Sequence, residues 1–225
     1  MVLKLYGDDV GYFTRLVAFI LYEKNVPFEF HRVDLLRGDQ RTWEYKKKQP
    51  FGLVPYIDDD GFLLYEARAI CYYIVVKYAD QGTTNLIPSE LKANALYQQA
   101  ASMEAVYFAE YAEKAIQELL VYPLKGLPTI RANFEAAIAE LSAKLEVYDQ
   151  ILGKQRFLAG DEITLADLFH VPMGVMIGMT GSDIIEAKPN VRRWFAELTS
   201  RPAWQAVKGN IQGLSPKQER LMAHL

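Results

Sequence analysis

The chain has 225 residues, 51% of them hydrophobic, with a formal charge of −3 and a sequence pI near 5.7. This length and composition suffice for one large or two small globular domains and exclude an extended disordered chain. The slightly negative charge argues against a nucleic-acid surface, and no apolar run reaches membrane-spanning length. The single cysteine, Cys71, excludes an internal disulfide. We therefore expect a cytoplasmic protein that binds neither nucleic acid nor membrane.

The first third of the chain alternates β-type and α-type patterns. Val2–Tyr6 is a strand-like run, Tyr12–Lys24 carries an apolar stripe at helical spacing, and Phe28–Val33 is a second strand. The order β-α-β implies two parallel strands joined by a right-handed crossover. Residues 34–50 are polar and contain a weak short helix around Arg41–Lys47.

A hairpin follows, in which Asp60-Gly61 separates two short apolar runs. This dipeptide is a strong hairpin signal, so two antiparallel strands complete a mixed sheet of four. The next helix is expected over Glu66–Tyr78. The Val54-Pro55 bond before the first run is a candidate for the cis isomer. The backbone of Val54 would then face outward, ready to pair with a peptide-like ligand. On local pattern alone, an ordinary edge hairpin is the alternative.

The composition changes after a turn-rich segment, Asp80–Pro88, and the remaining chain contains helical patterns only. One long helix is expected from Ser89 toward Leu119, and a second contains apolar residues spaced alternately by four and three. Thr164–Asp167 resembles a capping box, and a further helix is expected over Val191–Ser200. The second helix carries Phe134, Ile138, Leu141, Leu145, Tyr148 and Leu152.

Several motifs, in order, resemble the cytosolic glutathione transferases, and most closely their phi class of plants and fungi. They are Thr14-Arg15-x-Val17, Gln49-Pro50-Phe51-Gly52-Leu53-Val54-Pro55, Tyr65-Glu66-Ala67-Arg68-Ala69-Ile70, Phe157–Gly160 with Thr164–Asp167, and Arg201-Pro202-Ala203. The resemblance implies an α/β thioredoxin-like N-terminal domain followed by an all-α domain. The expected boundaries are 1–82 for the glutathione-binding domain, 83–91 for a linker, and 92–225 for the helical domain.

The resemblance also implies a glutathione site and a homodimer, and no metal. Glutathione would lie along the hairpin and pair with the backbone of Val54, with Glu66 holding its ammonium. Gln40 and Arg41 would face its glycine carboxylate. Phe51 is expected to contact a partner subunit or, alternatively, its own sheet. The expected glutathione-binding set is Gln40, Arg41, Leu53, Val54, Pro55, Glu66 and Ala67.

An apolar pocket for an electrophile is expected beside the glutathione. Its candidates are aromatic or methionine side chains, for which plain interdomain core is the alternative. They are Tyr12, Phe13, Met103, Tyr107 and Tyr111.

The chain departs from the family pattern at three positions of that site. Gly11 stands where the phi class has a serine that donates a hydrogen bond to the glutathione sulfur. Leu53 and Ala67 stand where it has Gln and Ser. A hydrogen bond to a charged group contributes about 1.5–3 kcal/mol, so the missing serine could lower the thiolate fraction roughly 10- to 100-fold.

The helix N-terminus at Gly11 and Tyr12 is therefore the expected catalytic element. Tyr12 is the first candidate for a replacement hydroxyl and Thr14 the next, whereas Tyr6 is expected to pack as a strand residue. Two functions follow. One is a transferase that conjugates glutathione to small hydrophobic electrophiles in detoxification. The other is a non-catalytic, ligandin-type protein that binds hydrophobic or aromatic molecules, since each departure makes the site less polar.

Overall fold

The computed structural model describes residues 2–213 and contains one mixed sheet of four strands. The strand order is β2-β1-β3-β4. β1 pairs in parallel with β2, while β3 is antiparallel to both β1 and β4. The predicted α/β fold with a mixed sheet is confirmed. The strands are β1 Leu3–Gly7, β2 Phe28–Arg32, β3 Tyr56–Asp59 and β4 Phe62–Tyr65.

The chain divides into two compact units. Among the described residues, the first unit contains residues 2–86 together with 201–213, and the second unit is Ile87–Ser200. The predicted boundaries 1–82, 83–91 and 92–225 differ from this division, because the segment after Ser200 packs with the first unit. Met1 and residues 214–225 of those predicted domains lie outside the described residues.

Helices cover one face of the sheet in the first unit. The side chains of Leu3 and Leu5, on the same face of β1, are 2% and 0% exposed. One helix of this layer joins the partner strands β1 and β2, as the β-α-β pattern predicted. Phe19 from it meets Trp204 from the last helix edge-on, with ring centroids 5.6 Å apart. The helices of the unit are α1 Tyr12–Glu23, α2 Trp43–Lys46, α3 Ala67–Lys77 and α11 Pro202–Val207, with a 3-10 turn at Asp39–Arg41.

An ion pair ties the last segment to the first helix. Arg201 Nε lies 2.6 Å from Glu23 Oε1, and Arg201 Nη2 lies 2.8 Å from the second carboxylate oxygen. The Thr83 hydroxyl donates to the same carboxylate at 2.7 Å. This network explains why the segment from Arg201 belongs to the first unit.

The second unit is entirely helical over residues 87–200. The predicted long helix is continuous from Leu91 to Leu124, five residues beyond Leu119, and it contains two π-helical stretches. Its parts are α4 Leu91–Met103, a π segment Glu104–Ala109, α5 Glu110–Ile116, a π segment Gln117–Val121 and α6 Tyr122–Leu124. The other helices are α7 Arg131–Leu152, α8 Leu165–Phe169, α9 Val171–Met179 and α10 Pro189–Thr199.

Asp167 organises the start of α8, as the capping-box pattern predicted. Its carboxylate accepts hydrogen bonds from the Thr164 N–H and hydroxyl, each at 2.9 Å. It also accepts from the Leu158 N–H at 2.9 Å and from Trp194 Nε1 at 3.0 Å. The side chain is fully buried, so these four bonds replace its hydration.

Candidate functional site

In the loop before β3, the backbone of Val54 has no hydrogen-bond partner among residues 2–213. The Val54-Pro55 peptide bond is cis, as predicted. The neighbouring Leu53 N–H donates to Gln49 Oε1 at 3.1 Å, and the Leu53 carbonyl accepts from the Tyr45 hydroxyl at 2.7 Å. Across residues 2–213 no hydrogen bond to the N–H or carbonyl of Val54 is formed. A ligand with a peptide-like edge can therefore pair with Val54.

The 3-10 turn lies directly against this loop. Gly52 has φ +64°, and a β-carbon there would lie only 3.0 Å from the carbonyl oxygen of Gln40, so glycine is required. The Gln40 side-chain oxygen is enclosed and has no hydrogen-bond partner within residues 2–213, while Arg41 is exposed. Lys46 Cε would approach the same Gly52 β-carbon to 3.2 Å. The backbone of the turn and the Lys46 side chain of α2 thus lie beside the loop, where the sequence predicted a carboxylate contact.

Glu66 precedes α3 in an unusual backbone conformation. Its φ is +72°, which non-glycine residues rarely adopt and which is common at ligand sites. The carboxylate is exposed and stands at the positive end of the eleven-residue helix, whereas the next residue, Ala67, is 6% exposed. Glu66 therefore offers an open carboxylate for an ammonium group, but it does not cap α3 with its side chain.

The N-terminus of α1 begins at Gly11 and presents free backbone donors. The first turn contains no acidic side chain, and in the part of the chain described the N–H groups of Phe13 and Thr14 have no acceptor. Gly11 has φ −68° and ψ 125°, which any residue adopts. A β-carbon on it would lie 3.4 Å from the Asp8 carbonyl oxygen and 3.5 Å from Thr14 Oγ1. Neither backbone nor space requires glycine here.

The three candidate hydroxyls differ in their surroundings. Thr14 is fully buried, and its hydroxyl has no hydrogen-bond partner in the described part of the chain. Tyr12 is half-buried and meets Phe13 edge-on with centroids 4.7 Å apart. The Tyr6 ring is stacked between those of His31 and Tyr56, at 4.6 and 4.5 Å, so it packs as the sequence predicted. Of the two helix candidates, only Tyr12 has exposed surface, which keeps it the first candidate.

The sequence reasoning missed Asp8, whose Cβ would lie 3.9 Å from a β-carbon on Gly11. The side chain is 7% exposed and accepts a hydrogen bond from the Val10 N–H at 3.1 Å. Burial, together with the charge of Asp9, raises the pKa of the Asp8 carboxyl above its usual value. When ionised, it opposes a second negative charge at this helix end. The signal was present as two consecutive aspartates just before position 11.

The electrophile candidates lie on both units. Tyr12 and Phe13 stand beside Gly11 in the first unit, and the Arg68 guanidinium lies 5.4 Å from the Phe13 ring centroid. In the second unit, the side chain of Tyr107 is 47% exposed. Tyr111 lines a groove between α5 and α7. Met103 ends α4 and is half-buried. That these five residues line one pocket stays a prediction.

Two features are absent from residues 2–213, the described part of the chain. No helix there is both long and apolar enough to cross a bilayer. The same residues contain no group of three or more side chains suited to hold a metal ion.

Comparisons with known proteins agree on one family. A model of the glutathione S-transferase N-terminal domain matches residues 5–82, and one of the C-terminal domain matches residues 105–202. Glutathione S-transferase hmp2 of Hypomyces subiculosus is 44% identical over 209 residues, covering 91% of this chain and 96% of its own length. Glutathione S-transferase F12 of Arabidopsis thaliana is 37% identical, covering 92% of this chain and 97% of its own.

Solved structures give the same result. Glutathione transferase F7 of Populus trichocarpa superposes with a TM-score of 0.88 at 30% identity, covering 92% of this chain and 98% of its own. Glutathione S-transferase I from maize, in complex with an atrazine glutathione conjugate, has a TM-score of 0.83 at 27% identity and covers 92% and 96%. The two-unit chain therefore matches these proteins over nearly its whole length.

Proposed function

Because the chain belongs to the glutathione S-transferase family, in its phi class, we propose that it transfers glutathione to small hydrophobic electrophiles. The observation that supports this most directly is the unpaired backbone of Val54 beside the cis-proline. It offers one donor and one acceptor to a peptide, and neither depends on a side chain. A role in detoxification and a cytoplasmic location belong to the same proposal.

Binding of glutathione would use three groups of the first unit. The backbone of Val54, next to Pro55 and Leu53, pairs with the peptide. Glu66 and the start of α3 at Ala67 receive the γ-glutamyl end, because a carboxylate attracts the ammonium and the helix N-terminus attracts the carboxylate. Gln40 and Arg41 receive the glycine carboxylate. Each polar or charged part of glutathione would thus meet a polar or oppositely charged group of the protein.

Activation of the thiol would rest on the N-terminus of α1. A free thiol has a pKa near ~8.5, and a helix N-terminus lowers it by favouring the thiolate. The unpaired N–H groups of Phe13 and Thr14 are at that end, and Gly11 lets a sulfur approach the backbone closely. Tyr12 is the side chain proposed to donate a hydrogen bond from its hydroxyl to the sulfur. Asp8, when ionised, opposes the thiolate at this helix end. Because position 11 also has no hydroxyl to donate a hydrogen bond, we expect a weaker activity than a serine there would give.

The electrophile would be held against an apolar wall that starts at Tyr12 and Phe13. The maize relative contains a glutathione conjugate of atrazine, a compound of this kind. Catalysis then combines a stabilised thiolate with proximity of the two reactants.

The direct test is conjugation of glutathione to an aryl halide by the purified protein. We expect turnover above the rate in buffer with glutathione alone, and a rise in the KM for glutathione in the Glu66→Gln variant. The exposed Glu44→Gln change, in the same unit, is the matched control. Rates equal to buffer for several electrophiles would contradict the proposal and leave the ligandin-type binder. Calorimetry with glutathione then measures whether the site binds at all.

A homodimer is part of the proposal. Phe51 is 68% exposed, and its ring meets that of Tyr65 edge-on with centroids 6.0 Å apart. Most of its side chain is therefore open to solvent. β4 and α3 also expose apolar side chains, which are Phe62, Leu63, Tyr72 and Val76. Light scattering is expected to give twice the chain mass, and Phe51→Asp to shift it toward the monomer; a monomeric wild type would contradict this.

A further inference from the structure

We propose that a groove in the second unit binds small amines with an apolar body, at a place separate from the glutathione contacts. The groove has a volume of about 630 Å³ and lies between α7 and the stretch from α5 to α6. Volumes of this size hold small ligands. All the residues that line it fall between Glu110 and Glu140, whereas the proposed glutathione contacts lie between Gln40 and Ala67.

The lining combines apolar surface with excess negative charge. Tyr111, Tyr122 and Ala137 supply ring and methyl surface. The charged side chains are four glutamates and one lysine: Glu110, Glu113, Glu118, Glu140 and Lys114. An amine with an apolar body matches both properties, whereas an anion such as glutathione would be repelled.

Glu118 supplies a buried negative charge that no cation of the described residues balances. Its side chain is 7% exposed and belongs to the second π segment, an irregularity that is frequent at functional sites. Its two oxygens accept from the Ile130 N–H and from Asn133 Nδ2, each at 2.9 Å. Both donors are neutral, and within residues 2–213 Glu118 makes no salt bridge. A buried carboxylate held by neutral donors alone still attracts a cation.

The Tyr111 ring, in the wall of the groove, already makes cation–π contacts with two ammonium groups. Lys114 Nζ lies 5.3 Å and Lys144 Nζ 5.9 Å from the centroid of its ring. Lys114 is also 2.9 Å from Glu110, and Lys144 is 3.9 Å from Glu140. The Lys114 side chain is exposed, whereas that of Lys144 is half-buried, so a ligand amine can replace Lys114 at the ring. The proposal gives Tyr111 a different ligand from the electrophile predicted from sequence.

Calorimetry with 2-phenylethylamine tests the site, with 2-phenylethanol as the uncharged counterpart. We expect the amine to bind with a Kd below about 1 mM, more weakly at high salt, and the alcohol at least tenfold more weakly. Saturating glutathione should leave the amine's affinity unchanged. No binding of the amine, equal binding of the alcohol, or displacement by glutathione would each overturn the proposal.

Variants locate the site. Glu118→Gln should weaken the amine about tenfold or more, since an ionic hydrogen bond becomes a neutral one. Glu118 also holds the turn before α7, so its replacement could disturb the fold. Glu140→Gln and Tyr111→Leu, at less buried positions, are therefore tested as well, and each should lower the affinity for the amine about two- to fivefold. Glu135→Gln, on the same helix but outside the groove, is the matched control and should bind like the wild type. Wild-type affinity in both Glu140→Gln and Tyr111→Leu would overturn the proposal.

Discussion

The Thr14 hydroxyl oxygen lies 3.5 Å from the point that a β-carbon on Gly11 would occupy, and no other described residue forms a hydrogen bond with that hydroxyl. Position 11 therefore has room for a small side chain and a polar neighbour behind it. We expect Gly11→Ser to fold normally and to raise kcat/KM for conjugation by roughly 10- to 100-fold, because a hydroxyl can donate to the sulfur.

Gly11→Ala is the control for that change, since it adds the same β-carbon without a hydroxyl. The measurement is the ultraviolet absorbance of the thiolate of bound glutathione across pH, together with steady-state kinetics. A lower thiol pKa only in the serine variant supports a hydrogen bond to sulfur. Equal gains in both variants would mean that packing, and not the hydroxyl, limits the natural protein.

A change at Asp8 is a second way to alter the thiol pKa of bound glutathione. Asp8→Asn keeps an oxygen to accept from the Val10 N–H but removes the negative charge beside the start of α1. We expect the pKa of bound glutathione to fall by up to about one unit, because a like charge no longer opposes the thiolate. The exposed Asp60→Asn change serves as control. An unchanged thiol pKa would show that Asp8 is too distant from the sulfur or already neutral.

Leu53 can be tested by restoring the residue that the phi class has there. The side chain is 57% exposed, so Leu53→Gln should not disturb the core. If the side chain faces glutathione, the added amide should lower the Kd for glutathione about three- to tenfold, the worth of one net hydrogen bond. Calorimetry measures it, with the exposed Leu36→Gln as control. A Kd equal to that of the wild type would place Leu53 outside the site.

Two Arg–Glu pairs with the same 2.6 Å contact differ in burial. Arg201 and Glu23 have side chains 23% and 3% exposed, whereas Arg156 and Glu197 are 60% and 31% exposed. Arg201→Ala should lower the free energy of unfolding by about 3–5 kcal/mol, because it leaves Glu23 buried without its cation. Arg156→Ala should cost less than about 1 kcal/mol. Urea denaturation distinguishes them, and equal losses would contradict the role of burial.

Asp59 should make the free energy of unfolding vary with pH in the acid range. Burial opposes its ionisation, but hydrogen bonds from Lys77 and from Tyr73, the latter 2.6 Å long, outweigh that effect and lower its pKa. A group with a lower pKa in the folded state stabilises it above the unfolded pKa, near about 4, and loses that contribution as pH falls through the folded pKa.

Asp59→Asn tests this directly. We expect it to lose about 1.5–3 kcal/mol at about pH 7 and progressively less toward about pH 2, as the wild-type carboxyl takes up its proton. Urea denaturation at both pH values is the measurement, with Asp60→Asn as control. A loss that is the same at both pH values would mean that shape, and not charge, is what Asp59 contributes.

Local patterns in the sequence determined much of this protein. Alternation and helical spacing gave the four strands, α1 and α3, because side-chain period depends on neighbours in the chain alone. Asp60-Gly61 placed the hairpin and Val54-Pro55 the cis bond, since both depend on residue-specific backbone preferences. Motif order identified the family.

The tertiary structure decided what depends on distant residues. It buried Asp8, enclosed the Thr14 hydroxyl, and joined Arg201 to Glu23 across 178 positions of sequence. It also brought α5 and α7 together to form the groove around Glu118. Burial, unpaired donors and uncompensated charge are properties of what surrounds a group in space, so no local pattern contains them.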